Sequence, residues 1–165
     1  GLVKNDLVDW DMLMQKVSTF PGTNRRFEKL TDNLYTDYAH HPAEIATTIS
    51  MAKELSKKVV VVYQPHQNIR QHELLKEDGY KTCFKAADQV YWLPTYLSRE
   101  DKELRTLTPE ELIISVEDDS NIETAQMDDQ LWKNIQTHQN AGDLVLGMSA
   151  GDLDDWLRNH VNEAS

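Results

Sequence analysis

The run Asp37-Tyr38-Ala39-His40-His41-Pro42 puts an acid, a phenol and two imidazoles into six consecutive residues. A carboxylate there can accept two hydrogen bonds, as from a ribose diol. The imidazoles can donate, accept, move a proton or ligate a metal. Two other segments carry related chemistry. Gln64-Pro65-His66-Gln67 leads to Arg70, whose planar guanidinium suits a carboxylate held through two parallel bonds. Met148-Ser149-Ala150-Gly151-Asp152 is a small-residue turn of the kind whose backbone amides approach anions. Arg25 and Arg26 add cations near the His-rich segments.

Each feature also has a plainer use. Asp37 serves equally as a turn or helix-cap acid. Arg26 serves as a surface ion-pair partner. Arg70 serves as a solvated residue of a first helical turn, although a cation there opposes the helix dipole. His40 and His41 diverge as neighbours on a turn, and His66 and His72 come from other segments. Without a Cys cluster or a His-Glu-x-x-His pattern, the histidines are a weak metal signal. Cys83 is the single cysteine, which excludes an internal disulfide and fits a reducing cytoplasm. It reads as a small buried thiol near a helix end rather than a nucleophile.

These segments need elements to position them. Leu7 to Phe20 has helical spacing, ended by Pro21-Gly22. Arg26 to Leu30 and Leu34 to Asp37 read as short strands around a Thr31-Asp32-Asn33 turn. Pro42 suits a first helical position and Glu44 a first turn. Ile45, Ile49, Ala52 and Leu55 then form an apolar stripe that ends at Lys57-Lys58. Val59 to Tyr63 lacks alternation, as a strand buried on both faces does. A helix follows Gln67 and runs through Leu74-Leu75 toward Ala87, disturbed at Gly79. Gln89 to Leu93 is a strand, and Thr95 to Arg105 a polar loop. Thr108-Pro109-Glu110-Glu111 starts a helix. Residues 121–125 are a strand, Met127 to Gln139 a helix, Asp143 to Gly147 a buried strand, and Leu153 to Val161 a last helix. Strand and helix alternate from Leu34 onward, which predicts a doubly wound, mostly parallel α/β sheet with helices on both faces. In such a sheet the three chemistry-bearing turns can converge on one crevice at the carboxyl ends of the strands.

A chain of 165 residues is enough for one domain with a core. The net charge of −11 argues against non-specific nucleic-acid binding, which needs clustered cations. No apolar stretch approaches the ~20 residues that span a bilayer. No phosphate-binding Walker loop is present. Gly1 in place of Met suggests a piece of something longer.

Taken in order, the motifs resemble the C-terminal domain of the Mur ligases: Asn24-Arg25-Arg26-Phe27-Glu28, Thr36 to Glu44, Tyr63-Gln64-Pro65-His66, Ala86-Ala87-Asp88 and Gly142 to Leu146. The resemblance runs from about Phe20 to the C-terminus. It implies a Rossmann-like fold, with residues 1–20 as a trailing helix or linker from a preceding ATP-binding domain and 21–165 as the amino-acid-presenting domain. It implies a cytoplasmic ATP- and Mg²⁺-dependent ligase of peptidoglycan precursor synthesis, with both cofactors held mainly by the central domain. The reaction implied joins L-alanine to UDP-N-acetylmuramate through an acyl phosphate, this domain being inactive alone. By the same resemblance Arg26 contacts nucleotide phosphates and Asp37 the ribose. Tyr38 and His40 lie beside the incoming amino acid, and Arg70 holds its carboxylate. No metal ligand is expected in this domain. Gln67 stands where the alanine-adding enzymes usually have Arg, and Asn68, Ile69, Thr36 and Ser149 also depart from the pattern. A murein-tripeptide recycling ligase is therefore the alternative within the family. A stand-alone, non-enzymatic nucleotide- or amino-acid-binding module is the alternative outside it.

Overall fold

The computed structural model describes residues 25–101 and 103–163. The helix expected over Leu7 to Phe20, and the trailing segment 1–20, lie outside the described residues.

Val59–Gln64 (β3) is the centre of the sheet, and all six of its residues are buried. Around it lie β1 (Glu28–Thr31), β2 (Leu34–Asp37), β4 (Gln89–Trp92), β5 (Ile122–Thr124) and β6 (Leu144–Ser149). The spatial order is β1-β2-β6-β3-β4-β5. Only β1 with β2 is antiparallel; the other pairings are parallel. The unbroken valine run finds a helix layer on each side. Val59, Val61 and Tyr63 pack with Ile45, Ile49 and Ala52 of α1 (Pro42–Leu55), Leu74 of α2 (Asn68–Lys76) and Leu112 of α3 (Pro109–Ile113). Val60 and Val62 pack with Leu131 and Ile135 of α4 (Asp129–Asn140) and Leu153 and Leu157 of α5 (Leu153–Glu163). Each such side chain contributes roughly 1.5–3 kcal/mol on burial. Strand alternation thus feeds both cores, and the doubly wound expectation is met.

The differences have local causes. The helix after Gln67 stops at Lys76 instead of running toward Ala87. Asp78 adopts a left-handed φ of 52°, and Gly79 N–H donates back to Leu74 O at 2.8 Å, a Schellman-type stop with Asp in the usual Gly place. A Cβ on Gly79 would lie 2.6 Å from the tip of Leu74 and 3.3 Å from its Cβ and carbonyl oxygen, so it would have to displace the buried Leu74 side chain. Residues 77–86 then form turns that bury Tyr80, Cys83 and Phe84. Cys83 thus sits in turns rather than near a helix end, and burial pushes its thiol up to about 12. α1 ends at Leu55, before Lys57-Lys58, and Leu55 is 64% exposed instead of completing the buried stripe. The first strand starts at Glu28, so Arg26 lies in the bend before it, between Arg25 and Phe27 with φ of 58° and 46°. The start of α3 is as expected: Thr108 Oγ1 accepts from Glu111 N, and the Glu111 carboxylate accepts from Thr108 N.

Candidate functional site

Register puts the three turns side by side. Asp37 is paired with Met148, Tyr63 with Met148, and Gln64 with Ser149. β2, β6 and β3 are adjacent and parallel, so their carboxyl ends open onto one edge of the sheet. That is where an open α/β sheet binds ligands.

At one end, Arg26 and Asp37 line an open depression of about 450 Å³ together with Phe27, Glu44, Thr48 and Met51. Asp37 is buried, and its two oxygens are already engaged. Oδ2 accepts from Phe27 N and Oδ1 from Ala39 N, each at 2.7 Å. The left-handed bend that carries Arg26 is therefore pinned to the end of β2 by this carboxylate. Oδ1 also accepts from Thr48 Oγ1 at a long 3.5 Å, and Oδ2 keeps a second lone pair for a ligand.

At the other end, His40, His41, His66 and Arg70 gather. Arg70 Nη2 lies 3.3 Å from His41 Nε2, and Nη1 donates to Glu73 Oε2 at 2.7 Å. His40 Nδ1 donates to Tyr38 O at 3.0 Å, since a carbonyl can only accept. The His40 and His66 rings are 5.9 Å apart, and His66 stacks on Tyr96 at 5.8 Å. Burial, and then the neighbouring His40, hold His66 below the ordinary imidazole range. Burial works the other way on Glu44, but amide donation from His40 and His41 at 3.3 Å prevails and lowers its carboxyl. Tyr38 stands between the two ends, its ring 4.9 Å from the Arg25 guanidinium and 5.9 Å from that of Arg26.

The middle is locked. Gln64 Oε1 accepts from Ser149 Oγ at 2.7 Å and from Leu153 N at 3.3 Å, while its Nε2 donates to Asp152. Gly151 N donates to Ser149 Oγ. The Met148–Asp152 turn thus spends these amides internally, which weakens the reading of it as an anion cradle. Arg25 Nη2 grips the same turn, donating to Ser149 O at 2.6 Å and Gly151 O at 3.1 Å. Thr36, Asp154, Arg158 and Glu28 continue this network into α5. Gly151 has no room for a side chain. A Cβ would stand 2.5 Å from Gln64 Oε1 and 2.7 Å from Tyr96 Cβ. Gly151→Ala is expected to destabilise the fold by about 1–3 kcal/mol, because Tyr96 Cβ cannot swing away. Gly147→Ala meets only the flexible tip of Leu157 and should cost less. Comparing the two urea midpoints checks this.

Beneath the histidines runs a buried polar chain. Tyr80 O–H donates to Gln71 Oε1 at 2.5 Å, and Gln71 Nε2 donates to His66 O at 2.9 Å. Tyr63 therefore spends its one proton on Tyr80 at 2.9 Å, with His40 O a longer 3.4 Å away. Burial raises both phenols.

The structure brings Arg26 and Asp37 to one end of the crevice, His40 and Arg70 to the other, and Tyr38 between. Sequence reasoning missed Tyr96 and Glu100, which sit in a stretch read only as a polar loop, and it singled out Asn68 only as a departure from the family pattern, not as the anchor of that loop. Among the described residues, no three His, Cys, Asp or Glu side chains converge to hold a metal ion. No helix among them is long and apolar enough to cross a membrane.

An open sheet with a helix layer on each face and a crevice at its strand ends defines a doubly wound α/β domain, and comparison assigns its family. The family profile described as Mur ligase, glutamate ligase domain, matches residues 25–151. The chain belongs to that family. It is 30% identical over 156 residues to the UDP-N-acetylmuramate–L-alanine ligase of Cereibacter sphaeroides (strain ATCC 17029 / ATH 2.4.9), covering 90% of this chain and 33% of the relative. The fold matches that of the UDP-N-acetylmuramate–alanine ligase from Thermotoga maritima, with a TM-score of 0.64 and 24% identity over 94% of this chain and 33% of that one. A murein peptide ligase from Psychrobacter arcticus matches with a TM-score of 0.59 and 26% identity, over 91% and 32% of the two chains. The chain spans about a third of the length of the curated relatives it matches.

Proposed function

We propose that this chain is the C-terminal domain of an ATP-dependent ligase of peptidoglycan precursor synthesis that joins L-alanine to UDP-N-acetylmuramate. The supporting observation is the register that lays the Asp37, Gln64 and Ser149 strand ends along one edge. It places a cation and a carboxylate at one end and a guanidinium among imidazoles at the other. The relatives that are alanine ligases support the same reading. Residues 21–165 would be the amino-acid-presenting domain, following an ATP-binding domain in the full protein. The Arg26–Asp37 depression fits one edge of a nucleotide: a cation for phosphate, a carboxylate with a free lone pair on Oδ2 for a ribose hydroxyl, and the apolar wall of Phe27 and Met51 for a base. ATP and Mg²⁺ would be held mainly by the preceding domain. ATP supplies the phosphoryl group that activates the muramoyl carboxylate.

This chain's own part is orientation. Arg70 holds the amino acid's carboxylate, and Tyr38 and His40 flank it, so that the amine points out of the crevice toward the activated acyl group. Clamping the far end of a nucleophile removes rotational freedom that the reaction would otherwise have to lose. Closing the domain over the crevice would exclude water from the acyl phosphate. A cytoplasmic location follows from substrates of this class.

The test is the full-length protein with UDP-N-acetylmuramate, ATP and Mg²⁺, offered L-alanine or a murein tripeptide. Alanine-dependent phosphate release with a ligated product is expected, and the isolated chain should release none. A preference for the tripeptide would instead support the recycling reading, which the similarity to the Psychrobacter enzyme favours. Tight nucleotide binding by the isolated chain would support a stand-alone module.

A further inference from the structure

The amino-acid end of the crevice has a second wall that the ligase reading does not use. The loop after β4 runs back along α2. Tyr96 N donates to Pro65 O at 2.8 Å, and Gln67 N donates to Tyr96 O at 2.9 Å. Further on, Asn68, almost wholly buried, fastens the loop again: its Nδ2 donates to Arg105 O at 3.1 Å and its Oδ1 accepts from Leu107 N at 2.9 Å. Between these anchors Glu100 turns inward. Its two oxygens lie 3.1 and 3.0 Å from Asn68 N, and Oε1 also accepts from Ser98 N at 2.8 Å. These described partners are backbone amides, so they orient the carboxylate without cancelling its charge. Arg99 beside it holds a φ of 57°, a conformation that turns the chain sharply at this point.

A row of side chains leads from Arg70 to the loop that carries Glu100. Arg70 touches His41, His41 neighbours His40, His40 neighbours His66, and His66 stacks on Tyr96. The Glu100 charge is felt at His66, but burial and His40 keep that imidazole below its ordinary range, so it does not offset the carboxylate at neutral pH. The guanidinium of this row, Arg70, already faces Glu73.

We propose that Glu100 is a specificity-determining residue, which closes the amino-acid end of the crevice to substrates bearing a second carboxylate. The inference rests on the ligase reading above. With the substrate's α-carboxylate at Arg70 and its amine directed out toward the acyl group, the third substituent of the α-carbon faces the opposite wall. That wall is His66, Tyr96 and Glu100. A methyl group meets ring surface there. A carboxymethyl group meets a like charge that no ion pair among the described residues offsets, and like charges placed together are a strong basis for rejection.

The experiment compares kcat/KM for L-alanine and L-aspartate in the full-length enzyme and in Glu100→Gln. The amide oxygen of Gln can still accept from Asn68 N, so the loop keeps its anchor while the charge is lost. The expected result is a fall in the alanine-to-aspartate ratio of roughly tenfold or more. A second variant, Glu100→Asp, keeps the charge and should keep most of the discrimination. Ligation of alanine with an unchanged ratio in Glu100→Gln overturns the inference alone. Failure of the wild-type enzyme to ligate alanine overturns the ligase reading and this inference with it.

Discussion

Asp37→Asn is expected to destabilise this chain by about 3 kcal/mol and, in the full-length enzyme, to raise the KM for ATP. Both oxygens of Asp37 face backbone donors, Phe27 N and Ala39 N, at 2.7 Å. Asparagine has one acceptor and one donor at these positions. Either rotamer points an NH₂ at an N–H. One charge-assisted hydrogen bond is lost, worth about 1.5–3 kcal/mol, and a part-buried amide is left without a partner at about 1–3 kcal/mol. The damage falls on the bend that holds Phe27 at a left-handed φ, which is also the bend that aims Arg26. Nucleotide use and stability should therefore fall together. Thr48→Val is the control, because Thr48 Oγ1 is 3.5 Å from Asp37 Oδ1 and contributes little. A urea midpoint for Asp37→Asn within about 1 kcal/mol of wild type would mean that the carboxylate does not hold this rim.

Arg70→Ala should behave in the opposite way, sparing the fold and damaging substrate use. Its described partners, Glu73 and His41, are on the surface, and such pairs contribute about 0–1 kcal/mol. The thermal midpoint should hardly move. The KM for the amino acid should rise roughly 10- to 150-fold, the equivalent of losing a charge-assisted bond of about 1.5–3 kcal/mol. The phosphoryl-transfer half of the reaction should persist. Arg70→Lys retains the charge but not the fork, so it should recover only part of the loss. An unchanged KM in Arg70→Ala would remove Arg70 from the carboxylate-binding role.

Much of this arrangement can be read in the residues themselves. The valine run at Val59–Val62 has no polar alternation, and a strand with a helix layer on both faces needs none. The Thr108 capping box starts α3 where its side chains demand. The three chemistry-bearing turns share an edge because β2, β6 and β3 are parallel neighbours, which the alternation of strands and helices foreshadows. Other features depend on contacts made across the chain. The end of α2 is set by Asp78 in a conformation that Asp tolerates but does not advertise. Arg26 leaves the strand because Asp37 pulls the preceding bend inward. Tyr96 and Glu100 reach the crevice through main-chain bonds to Pro65, Gln67 and Asn68, about thirty positions earlier in the chain. Nothing in the composition of a polar loop signals such pairing.

The chain of hydroxyls and amide under the histidines has a consequence for how ligases of this kind diversify. Tyr63, Tyr80 and Gln71 link in series to the His66 carbonyl, with His40 O packed 3.4 Å from the Tyr63 hydroxyl, over a floor sealed from solvent by Phe84 and Trp92. Such a floor sets the spacing of the two turns without help from ATP, sugar or any other domain. On the proposed reading, amino-acid choice then becomes a portable trait. Transplanted whole onto another ligase's front end, the domain would carry its preference with it, and evolution can tune that preference at the rim while the machinery of activation stays as it is.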